Sequence, residues 1–578
     1  MKRADQLLFL TALAAIALAY ALMAPAHVIG NDNGEFITLM HEGGVAHPPG
    51  YPLYILYLRA MRWVPGTNPA HSAALATALL GLAAAAALYA AARAWAASPS
   101  AALLTMLVYA LSPLTWKLSV QAEVFALNAL LCAALLIVCG PQSPTRGGAR
   151  IVAIGAIAGL GAAHHHTLSL LAPVAVFGLG LGWRESEKPA RALLLSAVAF
   201  AAGLALYATT YARSAQPGGW VWAPPMDMRL LARHFFRAEY GTFQLASPSA
   251  QASAVAQVLA LLHAIVFDLA VFVPLVAVLG GAVLLRERRA GVIPVLLSLV
   301  LAGPLFVSRF RVLLVGPQPQ ITERFYLLPE LLVCLLFSLA VTRFVPRIPR
   351  ALIVGAAGVL TLVSVGRVRE YLRPTIDLYA RNILAQVPAH AVILGSGDHC
   401  VFGFLYLQDV IRLRPDVTYA HLSMLDRAWY RARLEQRFPD VDWSAKGRAL
   451  VESALAHHAV YLTEPFSTPI VTWFPSYPEG ALVRVLPVGS PTKDPAQLEQ
   501  LNDKIYSAYH WEPTVPPNPN TWNGLVQDAY ARAWLSISDM YQQLGYDEQA
   551  KATLLRGSLY VPWLAVKMHP GDTNPLMH

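Results

Sequence analysis

The sequence predicts a polytopic α-helical membrane protein with a soluble α/β domain at its C-terminal end. Three observations predict it. Hydrophobic residues make up 56% of the chain and charged residues only 13%, about half the charged share of an ordinary soluble domain. The apolar excess is concentrated between residues 6 and 366, in runs that reach the ~20 residues needed to cross a bilayer. Beyond residue 366 the composition returns to that of a folded soluble domain.

The runs give about eleven spans, near 6–24, 72–92, 100–116, 122–139, 151–163, 167–183, 192–212, 255–285, 291–308, 325–342 and 351–366. The first could be a signal peptide, because residues 21–26 resemble a cleavage site, but the run is long for one and further spans follow. Basic residues cluster in alternate short loops: Lys2 and Arg3; Arg93; Arg146 and Arg150; Arg184, Lys188 and Arg191; Arg286, Arg288 and Arg289; Arg343, Arg347 and Arg350. The positive-inside rule makes that side cytoplasmic. The net charge of +9 therefore reports topology, and nucleic acid is not expected as a partner. The opposite side receives 25–71, 213–254 and everything after 366, which places the C-terminal domain outside the cytoplasm. Cys132, Cys139 and Cys334 lie inside apolar runs and Cys400 stands alone, so neither a disulfide framework nor a zinc pattern follows.

The chemically suggestive residues of the membrane half gather on the outer face. The first outer loop opens Asn31-Asp32-Asn33-Gly34-Glu35-Phe36. If a helix starts here, Asp32 and Glu35 share one face. They form either a capping box or a functional pair at the membrane boundary. Ala46-His47-Pro48-Pro49-Gly50-Tyr51-Pro52 follows, a rigid non-helical path. It sets His47 and Tyr51 at a fixed distance from the carboxylates, or merely stiffens the loop. Glu123 stands at the outer end of the fourth span, and His164, His165 and His166 interrupt an apolar stretch on the same side. Adjacent helical residues point about 100° apart, so one metal ion cannot easily use all three histidines. Hydrogen bonding of one of them to a phosphate or hydroxyl is the better reading. The loop 213–254 carries Trp220, Trp222, Arg233, His234, Arg237, Glu239 and Tyr240, as an interfacial belt or as a cover over a glycolipid headgroup. Arg324, at the outer mouth of the tenth span, suits bidentate contact with a phosphate.

In the C-terminal part, 391–394 and 417–420 look like strands beside helical stretches, which suggests a small α/β layer. Gly395-Ser396-Gly397-Asp398 reads as a structural turn rather than an anion site. Residues 491–520, rich in Pro, Asn and Thr, look like a linker or surface loop. Residues 527–562 look like a helical pair turning at Leu544-Gly545-Tyr546, similar to one tetratricopeptide unit, and one repeat cannot make a solenoid alone. The expected domains are 1–366 in the membrane, 367–490 as an extracytoplasmic α/β domain, and 491–578 as a linker with a helical end.

Taken together, Asp32 to Phe36 followed by Gly44-Val45-Ala46-His47-Pro48-Pro49-Gly50-Tyr51-Pro52 resembles the opening of the C-type (GT-C) glycosyltransferase superfamily, which includes protein O-mannosyltransferases and aminoarabinose transferases. More closely, it resembles bacterial membrane proteins related to the eukaryotic transmembrane O-mannosyltransferase that acts on plexin-type receptors. Gln121-Ala122-Glu123-Val124-Phe125, His165-His166-Thr167, Arg237-Ala238-Glu239-Tyr240-Gly241-Thr242-Phe243 and Glu323-Arg324-Phe325 also look like that family's signatures, in its order. The resemblance implies a GT-C-like fold in a bacterial inner membrane. It also implies transfer of mannose from a polyprenyl-phosphate donor to an acceptor, with inversion and no required metal or other cofactor; a protein Ser or Thr hydroxyl, or a glycan, would be that acceptor.

The residues fit such chemistry. A base must take the acceptor's proton, and cationic or hydrogen-bonding groups must hold the leaving phosphate. Asp32 is the expected base, with Glu35 as its partner or as a group that orients the acceptor. Arg324, Arg237 and one of His164 to His166 are expected on the phosphate, with His47, Tyr51, Glu123 and Tyr240 around the substrate. Two other classes compete. A transporter or flippase of lipid-linked sugars would show internal symmetry and broken helices at mid-membrane, whereas the polar groups here gather on one face. A sensor or scaffold would leave the Asp32 region dispensable.

Overall fold

The computed structural model describes residues 3–216, 219–241, 252–464, 469–512, 518 and 520–561. Thr242 and Phe243 of the loop motif, and 562–578 of the C-terminal segment, lie outside them. The chain forms two compact units. The first takes Met1–His27, Phe36–Leu314 and Gln318–Leu372; the second takes Val28–Glu35, Val315–Pro317 and Arg373–His578.

The first unit is a helix bundle, that of a multi-pass membrane protein. Helix α1 (Arg3–Met23) buries Ala12, Ile16 and Tyr20 and exposes Leu7, Leu10, Leu18 and Leu22, as a helix does when it turns one stripe to protein and the rest to lipid. Among the described residues six helices are long and apolar enough to cross a membrane, or up to eight if each of two bent pairs is one span. The remaining three expected runs are the shorter apolar helices Phe125–Cys139, Gly147–Ala162 and Val292–Leu305. The run 255–285, expected as one span, is two helices, Ala254–Asp268 and Phe272–Arg286, bent by 109°. The bend is made at Ala270, whose φ is 63°, with no glycine at the turn and Pro274 in the first turn of the second helix. The other bent pair, Pro99–Leu111 and Pro113–Ser119, turns by 68° where Pro113 lacks the N–H that would continue the first helix. Close packing elsewhere needs small residues. A Cβ at Gly159 would lie 2.3 Å from the Phe200 carbonyl oxygen, so the helices Gly147–Ala162 and Pro189–Leu204 meet backbone to backbone.

Two loops of this unit are joined by a short parallel pairing. Strand β1 (Gly44–Val45) pairs with β2 (Trp220–Val221), and Trp222 N continues the ladder to the Val45 carbonyl at 3.0 Å.

The second unit holds a five-stranded mixed sheet, order β4-β3-β5-β7-β6. Strands β3 (Val392–Gly395), β4 (Thr418–His421) and β5 (Val460–Leu462) are parallel, with β3 central. Strands β6 (Ser476–Glu479) and β7 (Leu482–Val485) form an antiparallel hairpin that pairs onto β5. Both faces of β3 and β5 are buried, which is why Val392-Ile393-Leu394 reads as a continuous apolar run rather than an alternation. The turn after β3 holds one of the unit's own carboxylates: Ser396 N and Oγ donate to Glu464 Oε2 at 2.9 and 2.7 Å.

The stretch 491–520, expected as a linker, instead contains the helix Pro495–Ala508 with an Asp494–Gln497 capping box and proline in its first turn. These are strong helix-start signals, masked by the surrounding Pro and Asn. Its Leu498 packs with Trp534, Ile537, Tyr541 and Ala550 of the terminal pair Trp522–Gln543 and Asp547–Ser558. The single helical pair thus gains a third helix to bury its apolar face.

Candidate active site

Helix α2 (Asn33–His41) begins in the second unit and continues into the first. Asp32 immediately precedes it and is half-buried; Glu35 lies in its first turn and is fully buried.

The carboxylate end is held by the second unit. Asn31 adopts a left-handed conformation (φ 62°), which asparagine tolerates, and its Oδ1 accepts from Trp522 Nε1 at 3.0 Å. Asn33 Oδ1 accepts from Ile29 N at 3.2 Å. A Cβ on Gly34 would stand 2.1 Å from the Phe402 carbonyl oxygen, so only glycine allows the backbones to approach this closely. Nothing in the local motif predicts Trp522 or Phe402 as partners.

In the first unit, Phe36 packs edge-on against Tyr51 and Tyr54 at 5.7 and 5.2 Å and lies 6.1 Å from the His47 ring. Tyr51 caps helix α3 (Pro52–Ala60) in a left-handed conformation (φ 45°), and its hydroxyl meets His47 Nε2 at 3.3 Å. The path between them, with a cis Pro48–Pro49 bond, is tied down from the 213–241 loop. His234 Nε2 donates to the Ala46 carbonyl at 3.1 Å, and Trp222 lies 6.0 Å from His47. Burial, then the charge of His47, pushes the His234 imidazole down to about 4.

The three histidines diverge. His164 Nε2 donates to the Val124 carbonyl at 2.9 Å. His165 stacks on Tyr51 at 6.0 Å and shares its Nδ1 with Thr167 Oγ1 at 2.6 Å. His166 packs on Phe235 at 4.8 Å. Burial holds His164 down to about 3, and it also pushes His165 well below the ordinary range, with His164, His166, Arg237 and Arg324 adding to it. These two imidazoles are neutral, so they offer hydrogen bonds and no charge.

The positive charge comes from Arg324 and Arg237. Arg324 Nη1 contacts Glu123 Oε1 at 3.3 Å, and its guanidinium lies 5.5 Å from the Phe125 ring. Glu123 thereby fixes the plane of the guanidinium. Arg237 sits in a left-handed conformation (φ 53°) with its guanidinium 5.5 Å from the Tyr240 ring. Phe125, Phe306, Phe325 and Leu328 line a cavity whose polar edge is Arg324, Asn128 and Thr167.

Sequence reading passed over several residues here. Lys117 pairs with Glu323 and lies 4.2 Å from the Tyr371 ring, and both amide atoms of Gln121 are buried without a hydrogen-bond partner. An ionisable side chain inside an apolar run is a recognised functional signal, and it marks Lys117.

Three comparisons bear on this arrangement. The family model of the protein O-mannosyl-transferase TMEM260 N-terminal domain matches residues 32–190. Protein O-mannosyl-transferase TMEM260 of Mus musculus is 30% identical over 472 residues, covering 76% of this chain and 66% of that one. Protein O-mannosyl-transferase tmem260 of Dictyostelium discoideum is 21% identical over 481 residues, covering 72% and 57%. The chain therefore spans only part of the length of each relative. The crystal structure of ArnT from Cupriavidus metallidurans in the apo state matches with a TM-score of 0.53 over 84% of this chain and 99% of that one, at 14% identity. At that identity the likeness is one of fold.

Proposed function

Since the chain belongs to the GT-C O-mannosyltransferase-like family that the TMEM260 proteins represent, we propose that it moves mannose from a polyprenyl-phosphate donor to a hydroxyl of an acceptor protein or glycan on the outer face of a bacterial inner membrane. The observation that carries this reading is Arg324, held by Glu123 at 3.3 Å, at the polar edge of a narrow crevice of about 10 Å³ lined by phenylalanines and leucines. A guanidinium set beside apolar side chains suits an anionic head on a hydrocarbon tail. The buried, unpartnered Gln121 amide, His164 Nδ1 and Asn128 Oδ1 add hydrogen-bonding groups that a sugar phosphate would satisfy.

In this mechanism Asp32 takes the acceptor's proton as its oxygen attacks the anomeric carbon, and Glu35 orients Asp32 or the acceptor. Arg324 and Arg237 stabilise the charge that grows on the departing phosphate, and neutral His165 hydrogen-bonds to it. His47, Tyr51 and Tyr240 surround the sugar, and Glu123 holds Arg324. The inversion at carbon follows from a single displacement, and these side chains supply every role without a metal.

The test is to incubate purified protein with radiolabelled polyprenyl-phosphate mannose and candidate acceptors. Label should appear on the acceptor hydroxyl. Folded protein that moves the labelled lipid between leaflets yet transfers no sugar would make it a transporter instead. The proposed topology places the C-terminal unit outside the cytoplasm, so a reporter active only in the cytoplasm should be silent when fused after residue 578.

A further inference from the structure

The second unit contains an aromatic cleft of about 330 Å³ that the transfer reaction does not use. That volume is within the range of small-molecule sites. The cleft lies beyond the carboxyl ends of two parallel strands: Leu422 and Leu425 follow β4, and Pro469 and Ile470 follow β5. Open α/β sheets bind ligands outside that end of their strands.

Floor and rim differ in chemistry. Trp443, Leu450, Val451 and Ile470 line the cleft and are buried, so they form its floor. Trp443 spends its one donor on the Phe438 carbonyl, at 3.0 Å, and has only carbon and π surface left to offer. Half-buried Trp473 adds a second indole to the lining. Gly447 lies against that ring: its φ is 55°, and a Cβ there would stand 3.4 Å from Trp473 Cη2. The rim is polar and held in place. Asp442 Oδ1 accepts from Ser444 N, Ser444 Oγ and Ala445 N at 3.0, 2.6 and 3.2 Å, which fixes the turn that carries Ser444 and Lys446. Lys446 Nζ donates to Asp426 Oδ1 at 2.7 Å, and this bond holds the Asp426 carboxyl below its ordinary range. The pair has no net charge. An ammonium has three donors and a carboxylate about four acceptor sites, so one bond between them leaves both with capacity for a ligand.

We propose that this cleft binds an uncharged pyranose ring of a glycan. A pyranose has an apolar C–H face that suits an indole and a perimeter of hydroxyls, each both donor and acceptor. A rim of zero net charge that carries one donor-only and one acceptor-only group matches that perimeter, and it gives no advantage to a phosphate or a carboxylate. An extended polypeptide would instead add to an exposed strand edge, and no strand residue lines the cleft. That the sugar is mannose rests on the proposed function, under which the product carries it.

Full-length protein in lipid nanodiscs, free of sugar-based detergent, is titrated with methyl α-mannopyranoside and followed by saturation-transfer NMR. Saturable binding is expected, with the strongest transfer to ring C–H protons. Trp473→Leu should weaken it by about tenfold or more and Trp473→Phe by no more than about threefold, because phenylalanine keeps an aromatic face. Asp426 is exposed, so Asp426→Ala leaves the fold intact, and it should weaken binding several-fold. No saturable binding, or an affinity indifferent to both Trp473→Leu and Asp426→Ala, overturns the proposal. So does an unglycosylated serine- and threonine-rich peptide that binds through Trp473 where the mannoside does not, which would make the cleft a polypeptide groove. The titration uses no lipid-linked donor, so its outcome is independent of the transfer assay. Mannoside binding without transfer removes the proposed function and leaves the cleft; transfer without mannoside binding does the reverse.

Discussion

The loop after the first helix has two ends, and they are held by different means. At one end, Asn31 and Gly34 are fixed by Trp522 and the backbone at Phe402, partners from the far end of the chain. At the other end, His47 and Tyr51 are fixed by their own proline-rich path, by His234 and by a stack on His165, all inside the membrane unit. The second end is stiff by its own composition. The first end, from Asn31 to Glu35, has no proline to stiffen it and is contacted by distant residues. The comparison teaches that chemistry and positioning have been divided: the expected proton acceptor sits where rigidity is supplied from elsewhere.

The sharpest way to break this division is at the base. Asp32→Asn keeps the volume and removes the basic oxygen, so transfer should fall by ~10²-fold or more in folded protein, with Glu35→Gln milder. Near wild-type transfer by the folded Asp32→Asn protein would leave that residue only a helix-capping role, since asparagine caps as well as aspartate.

The phosphate side should respond differently. Arg324→Ala removes a contact made in both ground and transition states, so donor KM should rise by about tenfold to a hundredfold with a smaller change in kcat. A fall in kcat alone, with donor affinity untouched, would remove Arg324 from the phosphate.

Trp522→Leu tests the distant grip itself. It removes the bond to Asn31 while keeping an apolar side chain, and transfer should drop about tenfold through kcat, because the base loses its set position. Trp522→Leu with unchanged kcat would show that the carboxylate end is stiff without the second unit.

The smallest effect is expected at the other end of the loop. His234 is held near 4, below the ordinary imidazole value of about 6.5. A depressed imidazole contributes stability above pH 6.5 and loses it as pH falls toward 4, by up to a few kcal/mol. Thermal unfolding of His234→Gln, which can still donate to Ala46, should be less sensitive to acid than wild type between pH 7 and 4.5. Identical pH profiles would mean that His234 does not titrate in this window.

What the sequence revealed follows the same line. Apolar runs, alternating basic loops and the Asp32 to Tyr51 motif are local signals, and they were readable. The bend at 269–271 was not, because Leu269-Ala270-Val271 is as apolar as the helices it separates, and only its backbone conformation turns the chain. The helix Pro495–Ala508 carried its start signals in plain view at Asp494, Pro495 and Gln497, but the composition around it argued for a linker. Glu123 and Arg324 were each marked separately; that they face each other is a tertiary fact, since they stand 201 positions apart along the chain. Trp522 was invisible for the same reason, since no pattern near residue 522 points to residue 31.

The bond from Trp522 to Asn31 also bears on how the enzyme is made. Synthesis runs from the N-terminus, so Asn31 is made 491 residues before Trp522. Until Trp522 is made, the nascent protein carries its acidic loop without that bond. On the proposed function, full activity then arrives only once Trp522 has been made and bonded to that loop, so a chain stalled before residue 522 lacks the clasp.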